Sequence, residues 1–247
     1  MARGLCVGMV LSMFVVMGAS RVTAAPSPIY RGSDVKFTVA GSSTESTVVA
    51  EGLGVRVTKR IGPEIVKIRI EVAKDIVDLE ANAKGNVRLS RRGRSIAMNM
   101  SARNGQLIAE AVRMTQGSLA LKSFDALMTA IDGDSRVVAQ SMWTTWGLIN
   151  VLRGNDAAAM SVAGRLKTLA SKTAFTPVSF KGEREEGPSA CWTEYSVLVN
   201  QYYGDFSACL VNYGWIPMGA QSCTFEWMLK SELAWFWLIE CDGGIPK

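Results

Sequence analysis

Histidine is absent from all 247 residues. That excludes Ser-His-Asp and Cys-His catalysis, imidazole metal ligation and a histidine general base or pH switch. The chain also lacks a phosphate-binding glycine loop and a Gly-x-Ser-x-Gly elbow. No catalytic residue can be assigned, and no cofactor or metal is implied. Cysteine is scarce, and no two cysteines stand two to four residues apart, the usual spacing of zinc ligand pairs. Apolar runs are short. Leu5 to Ala19 is apolar or small throughout, and Leu233 to Ile239 is mostly apolar, but both fall short of the roughly 20 residues that span a bilayer.

The first of these runs has another reading. Arg3 precedes it and small residues follow it, the pattern of a secretory signal peptide. A cut after Ala24 places Val22 and Ala24 at the small-residue positions, and cleavage is bracketed between residues 19 and 25. The mature chain is therefore expected to be secreted or periplasmic, with no transmembrane span left after processing. Cys6 leaves with the signal, and Cys191, Cys209, Cys223 and Cys241 remain. In an oxidising compartment four cysteines read as two disulfides.

Their spacing names the pairs. Cys191 and Cys209 are 18 residues apart, and so are Cys223 and Cys241. That separation is about five helical turns, so each pair marks the two ends of one helical face. Folding the helices back on each other joins Cys191 to Cys241 and Cys209 to Cys223. Opposed residues then meet in order. Tyr195 faces Trp237, Tyr202 faces Lys230 and Phe206 faces Glu226. A second apolar face, with Val199, Phe225, Met228, Leu229, Trp235 and Phe236, must dock elsewhere. Its own α+β domain, a second copy, another protein or a membrane surface could cover it.

The preceding segment has a different rhythm. From Val35 to about Met100 apolar and polar residues alternate, most cleanly in Ile65–Val72. Helical spacing follows in Leu107–Thr115, Leu119–Ile131, Ser135–Leu152 and Ala157–Thr173. Strands first and helices afterwards predict an α+β fold: an antiparallel β-meander covered by a helical layer, then a disulfide-stapled C-terminal helical hairpin. The expected division is a signal at 1–24, an α+β domain at 25–180 with strands to about 100 and helices from about 106 to 174, a polar linker at 181–188, and the hairpin at 189–247. Charge divides likewise. Residues 25–180 hold 21 Lys+Arg against 13 Asp+Glu, whereas 181–247 hold 4 against 9. The two parts should attract each other.

Few side-chain groupings suggest binding or chemistry. Arg88, Arg91, Arg92 and Arg94 surround one hairpin tip, where a basic cluster could take an anion. Asp132-Gly-Asp134 has part of a calcium-loop pattern but no downstream carboxylate, and reads as a helix cap and turn. Asp75, Asp78 and Glu80 lie along one strand, where Asp78 and Glu80 share a face and could hold a hard cation, act as an acid/base pair, or pair with Lys67, Arg69 or Arg88. Glu194, Glu226, Glu232 and Glu240 sit among aromatics, with Lys230 placed to neutralise Glu226 or Asp205. Asn99-Met-Ser101 fits a glycosylation sequon, within an expected strand.

These features favour an exported, non-catalytic protein that binds an envelope component or a partner protein. Nucleic acid is not expected as a partner, and the aromatic hairpin offers a surface for self-association. The alternatives are a carboxylate-dependent glycan hydrolase, and a secreted toxin or competition factor that engages anionic surfaces.

Overall fold

The structure is a computed structural model and describes residues 27–32, 35–42, 44–102, 105–134, 137–171, 190–214 and 219–241. The expected signal segment and the 181–188 linker lie outside the described residues.

Strands β1 (Ser27–Gly32), β2 (Val35–Ser42), β3 (Glu45–Gly52), β4 (Val55–Ile61), β5 (Ile65–Val72), β6 (Asp75–Asn82), β7 (Asn86–Arg91) and β8 (Arg94–Asn99) form one eight-stranded antiparallel sheet in chain order. Tight turns make this meander. Leu53-Gly54 and Arg92-Gly93 both take positive φ, as a two-residue hairpin with the sheet's right-handed twist requires.

Period-two alternation gives the sheet one dry face. Val57, Ile61, Ile68, Ile70, Leu79 and Leu89 are all buried on it. The opposite face is a charged ladder. Arg69 and Asp78 meet at 2.8 Å, Lys67 and Glu80 at 3.8 Å, and Arg56 reaches both Glu51 and Glu71. These pairs sit directly across the strands, Arg69 opposite Asp78 and Lys67 opposite Glu80, where opposite charges are favourable.

Among the described residues six α-helices follow: α1 (Gly105–Thr115), α2 (Leu119–Ala130), α3 (Val137–Leu152), α4 (Asp156–Ser171), α5 (Ala190–Tyr213) and α6 (Gly219–Cys241). The dry face is covered by α1 over β7 and β8, by α2 over β4 to β6, and by α6 over β3 to β5. Thus α6 joins the covering layer, and its second apolar face lies against the sheet and α3 rather than open to a partner. Phe225, Met228, Trp235 and Phe236 of that face are all buried. At the α3–α6 crossing Gly147 permits close approach, since a Cβ there would lie 2.7 Å from the Met228 sulfur.

The hairpin is stapled. Cys209 and Cys223 form a disulfide with Cα atoms 5.7 Å apart. Cys191 is disulfide-bonded too, and the side chain of Cys241, its expected partner, lies outside the described residues. Phe206 stacks on Trp227 at 5.4 Å beside the staple. Farther along, the expected opposition of Tyr195 and Trp237 does not form. Tyr195 packs on Trp235 at 4.6 Å, and Trp237 is 53% exposed. The buried side of α6 faces the sheet and α3, and Tyr195 follows that side.

Candidate functional site

Two buried polar hubs and one groove stand out. The first hub fastens the α1–α2 turn to the sheet. Asp75 begins β6 and Arg91 ends β7, and both point to the dry face, with exposures of 8% and 7%. Asp75 accepts from Arg91 Nε at 2.9 Å, from the Ser118 hydroxyl at 2.8 Å and from the Ala120 amide at 3.1 Å. Arg91 Nη1 donates to the carbonyls of Met114 and Gln116 at 2.8 and 2.9 Å. The guanidinium therefore meets the carbonyl-rich end of α1 and the carboxylate meets the amide-rich start of α2, each opposite in sign to the helix end it touches. Burial pushes the Asp75 pKa up. Hydrogen bonds from Arg91, the Ala120 amide and Ser118 outweigh it and hold the carboxyl well below the usual carboxylate range.

This arrangement disperses the expected arginine cluster. Arg91 leaves it, because alternation from Val87 and Leu89 turns residue 91 inward, where bare carbonyls await a donor. Arg88 lies on the outer face opposite Glu80. Arg92 and Arg94 stay at the exposed tip, and each reaches a carboxylate at 3.5 Å, Asp75 and Glu110 respectively.

The second hub lies between β4, α3 and α6. Lys59 and Glu232 are fully buried, with Nζ 3.0 Å from Oε1. Lys59 Nζ also donates to the Ser141 carbonyl at 2.7 Å. The Thr145 hydroxyl donates to Glu232 Oε1 at 2.7 Å, and the Thr144 hydroxyl meets Oε2. Burial pushes the Lys59 amine down, with Glu232 opposing. Burial and then the Glu232 charge push the nearby Tyr195 phenol well up. Glu232 was legible only as an acid among aromatics, and Lys59 only as a residue of an alternating strand.

Several other expected acids are paired with cations. Asp132 bonds Arg165 at 2.8 Å and accepts from its neighbour's amide in a turn where Gly133 has φ +82°. Hydrogen bonding to Arg165 lowers its pKa. Lys230 meets both Glu226 (3.2 Å) and Asp205 (3.3 Å). Glu194 is exposed, and the side chain of Glu240 lies outside the described residues. Asn99 ends β8 and donates to Asn86 Oδ1 at 2.8 Å, whereas the side chain of Ser101 lies outside the described residues. Among the described residues no group of three or more Cys, Asp or Glu could hold a metal ion.

The groove runs where α6 passes the end of the sheet, between the β4–β5 and β6–β7 turns, and encloses about 320 Å³. Phe225, Leu229, Leu233 and Met100 supply its apolar wall, and Tyr202 and Trp237 its aromatic edge. Lys84 and the Lys230–Glu226 pair supply its charge. Trp237 is its most exposed large apolar group, although the sequence placed that residue inside the hairpin. No described helix is long and apolar enough to cross a membrane. Comparison with protein-family models, with curated proteins and with solved structures finds no match to this chain.

Proposed function

We propose that this chain is an exported, non-catalytic binding protein whose groove along α6 holds an apolar part of an envelope component or a partner protein. The observation that carries this reading is the half-exposed Trp237 at the edge of a 320 Å³ groove that has Phe225, Leu229 and Leu233 in its wall. An indole left in water beside Leu233 and Leu229 gains by being covered, at about 25 cal/mol per Å² of apolar surface removed from water. Polar groups around such a cleft can orient what enters it. The disulfide and the N-terminal sequence support export. The hydrolase reading has less support. It needs two carboxylates roughly 5–9.5 Å apart across a cleft. Among the described residues the groove wall holds one carboxylate, Glu226, and Lys230 neutralises it.

The test is titration with a fluorescent apolar dye of the anilinonaphthalene sulfonate type. The wild-type protein should bind it saturably at one site. Trp237→Ala should weaken binding about tenfold, the effect of about 1.4 kcal/mol, with an unchanged Tm. Absence of saturable binding, or equal binding by the variant, would overturn the assignment.

A further inference from the structure

Lys59 projects from the inner face of β4 between Val57 and Ile61. Glu232 projects from the middle of α6. Neither side chain has any exposed surface, and their contact distance is 3.0 Å. Their other polar contacts hold them toward each other. The Ser141 carbonyl of α3 accepts from Nζ, and the Thr144 and Thr145 hydroxyls of α3 hold the two carboxylate oxygens. Among the described residues Tyr195 of α5 also faces Glu232.

We propose that Lys59 and Glu232 form a modification site, at which the Lys59 amine and the Glu232 carboxyl condense to an isopeptide bond tying β4 to α6. The atoms balance without any further reactant. A proton passes from the ammonium to the carboxylate across the existing contact, giving an amine and a carboxylic acid. Nζ attacks Cδ, forming the C–N bond. One carboxyl oxygen then leaves with two protons as water, and a secondary amide remains. Nothing is oxidised or reduced.

Four features of the site favour this course. Two charges out of water are a liability that condensation removes, leaving a neutral amide. Holding amine and carboxyl in contact replaces an encounter in solution by an intramolecular step. The hydroxyls of Thr144 and Thr145 are aimed at the oxygens on which charge develops during attack. Burial also favours the unprotonated, nucleophilic amine.

The experiment is mass spectrometry of the folded, full-length exported protein after denaturation, complete reduction and tryptic digestion. The expected result is one crosslinked species that joins the Lys59 and Glu232 peptides, lacks one water and shows no cleavage after Lys59. Lys59→Met should abolish it. Glu232→Gln, whose amide cannot take the ammonium proton, should abolish it too, while the wild-type link survives reduction, which no disulfide or ion pair does. Separate, unmodified Lys59 and Glu232 peptides from the folded wild-type protein would overturn the proposal and leave an ordinary buried ion pair.

Discussion

Replacing Asp75 by alanine should destabilise the protein by about 3–5 kcal/mol, the range for breaking one side of a buried ion pair. The structure shows why the upper part of that range applies. The carboxylate accepts from Arg91 Nε and Nη2, the Ser118 hydroxyl and the Ala120 amide, all within 3.3 Å. Alanine leaves a guanidinium that is only 7% exposed with Nε unpaired, although Nη1 keeps the carbonyls of Met114 and Gln116. It also strips the start of α2 of an acceptor that Ser118 alone replaces in part. Adding Arg91→Met to Asp75→Ala should recover about 0.5–3 kcal/mol, because the stranded charge goes with it. The assay is urea unfolding followed by far-ultraviolet circular dichroism, repeated across pH. Asp75 has a depressed pKa in the folded state. Its stabilisation is therefore complete above the unfolded value of about 3.9 and is lost as pH falls through the folded value. The gap between wild type and Asp75→Ala should be constant from about pH 7 to pH 5 and narrow below about pH 4. A loss under about 1 kcal/mol at neutral pH, the level of an exposed pair, would refute the reasoning.

Other perturbations follow from the same contacts. Cys209→Ser opens a 14-residue loop and should lower unfolding stability by about 2–3 kcal/mol in denaturant titration. Gly147→Ala forces a Cβ to within 2.7 Å of Met228 Sδ and 3.3 Å of Val162 at a buried crossing, and should destabilise by about 1–3 kcal/mol, read as a lower Tm. Tyr195 has a raised pKa, so its contribution is complete below about pH 10 and is lost as pH rises through the folded value. Tyr195→Phe should therefore lose less stability than wild type between about pH 10 and pH 11, measured by urea unfolding at each pH.

Much of this architecture can be read before any coordinates. The alternation of Ile65–Val72 and the helical spacing of Leu119–Ile131 describe β5 and α2 almost residue for residue. The cysteine spacing yields the Cys209–Cys223 staple directly. One strand escaped the alternation read from Val35 onward: β1 precedes that stretch, and Pro28 lies within β1. The site was harder to read. Periodicity assigns polar residues to the surface, yet Ser141, Thr144 and Thr145 are buried because Lys59 and Glu232 need them there. That partnership joins one strand to a helix near the far end of the chain, and no local pattern records it. Helix α6 is buried on several sides, so it has no single apolar stripe from which its exposed residue could be told. Trp237 looked like part of the seam for that reason. Arg91 looked like part of an exposed tip because a turn is defined by its neighbours, whereas its direction is set by the strand behind it.

The groove reading is tested most directly by photocrosslinking in the intact envelope. Trp237 is replaced by a benzophenone-bearing phenylalanine, and exposed Lys122 on α2 is replaced likewise as a control. A discrete adduct from position 237 and none from position 122 is the predicted result. No adduct at 237, or the same adducts from both positions, would contradict a binding groove at α6.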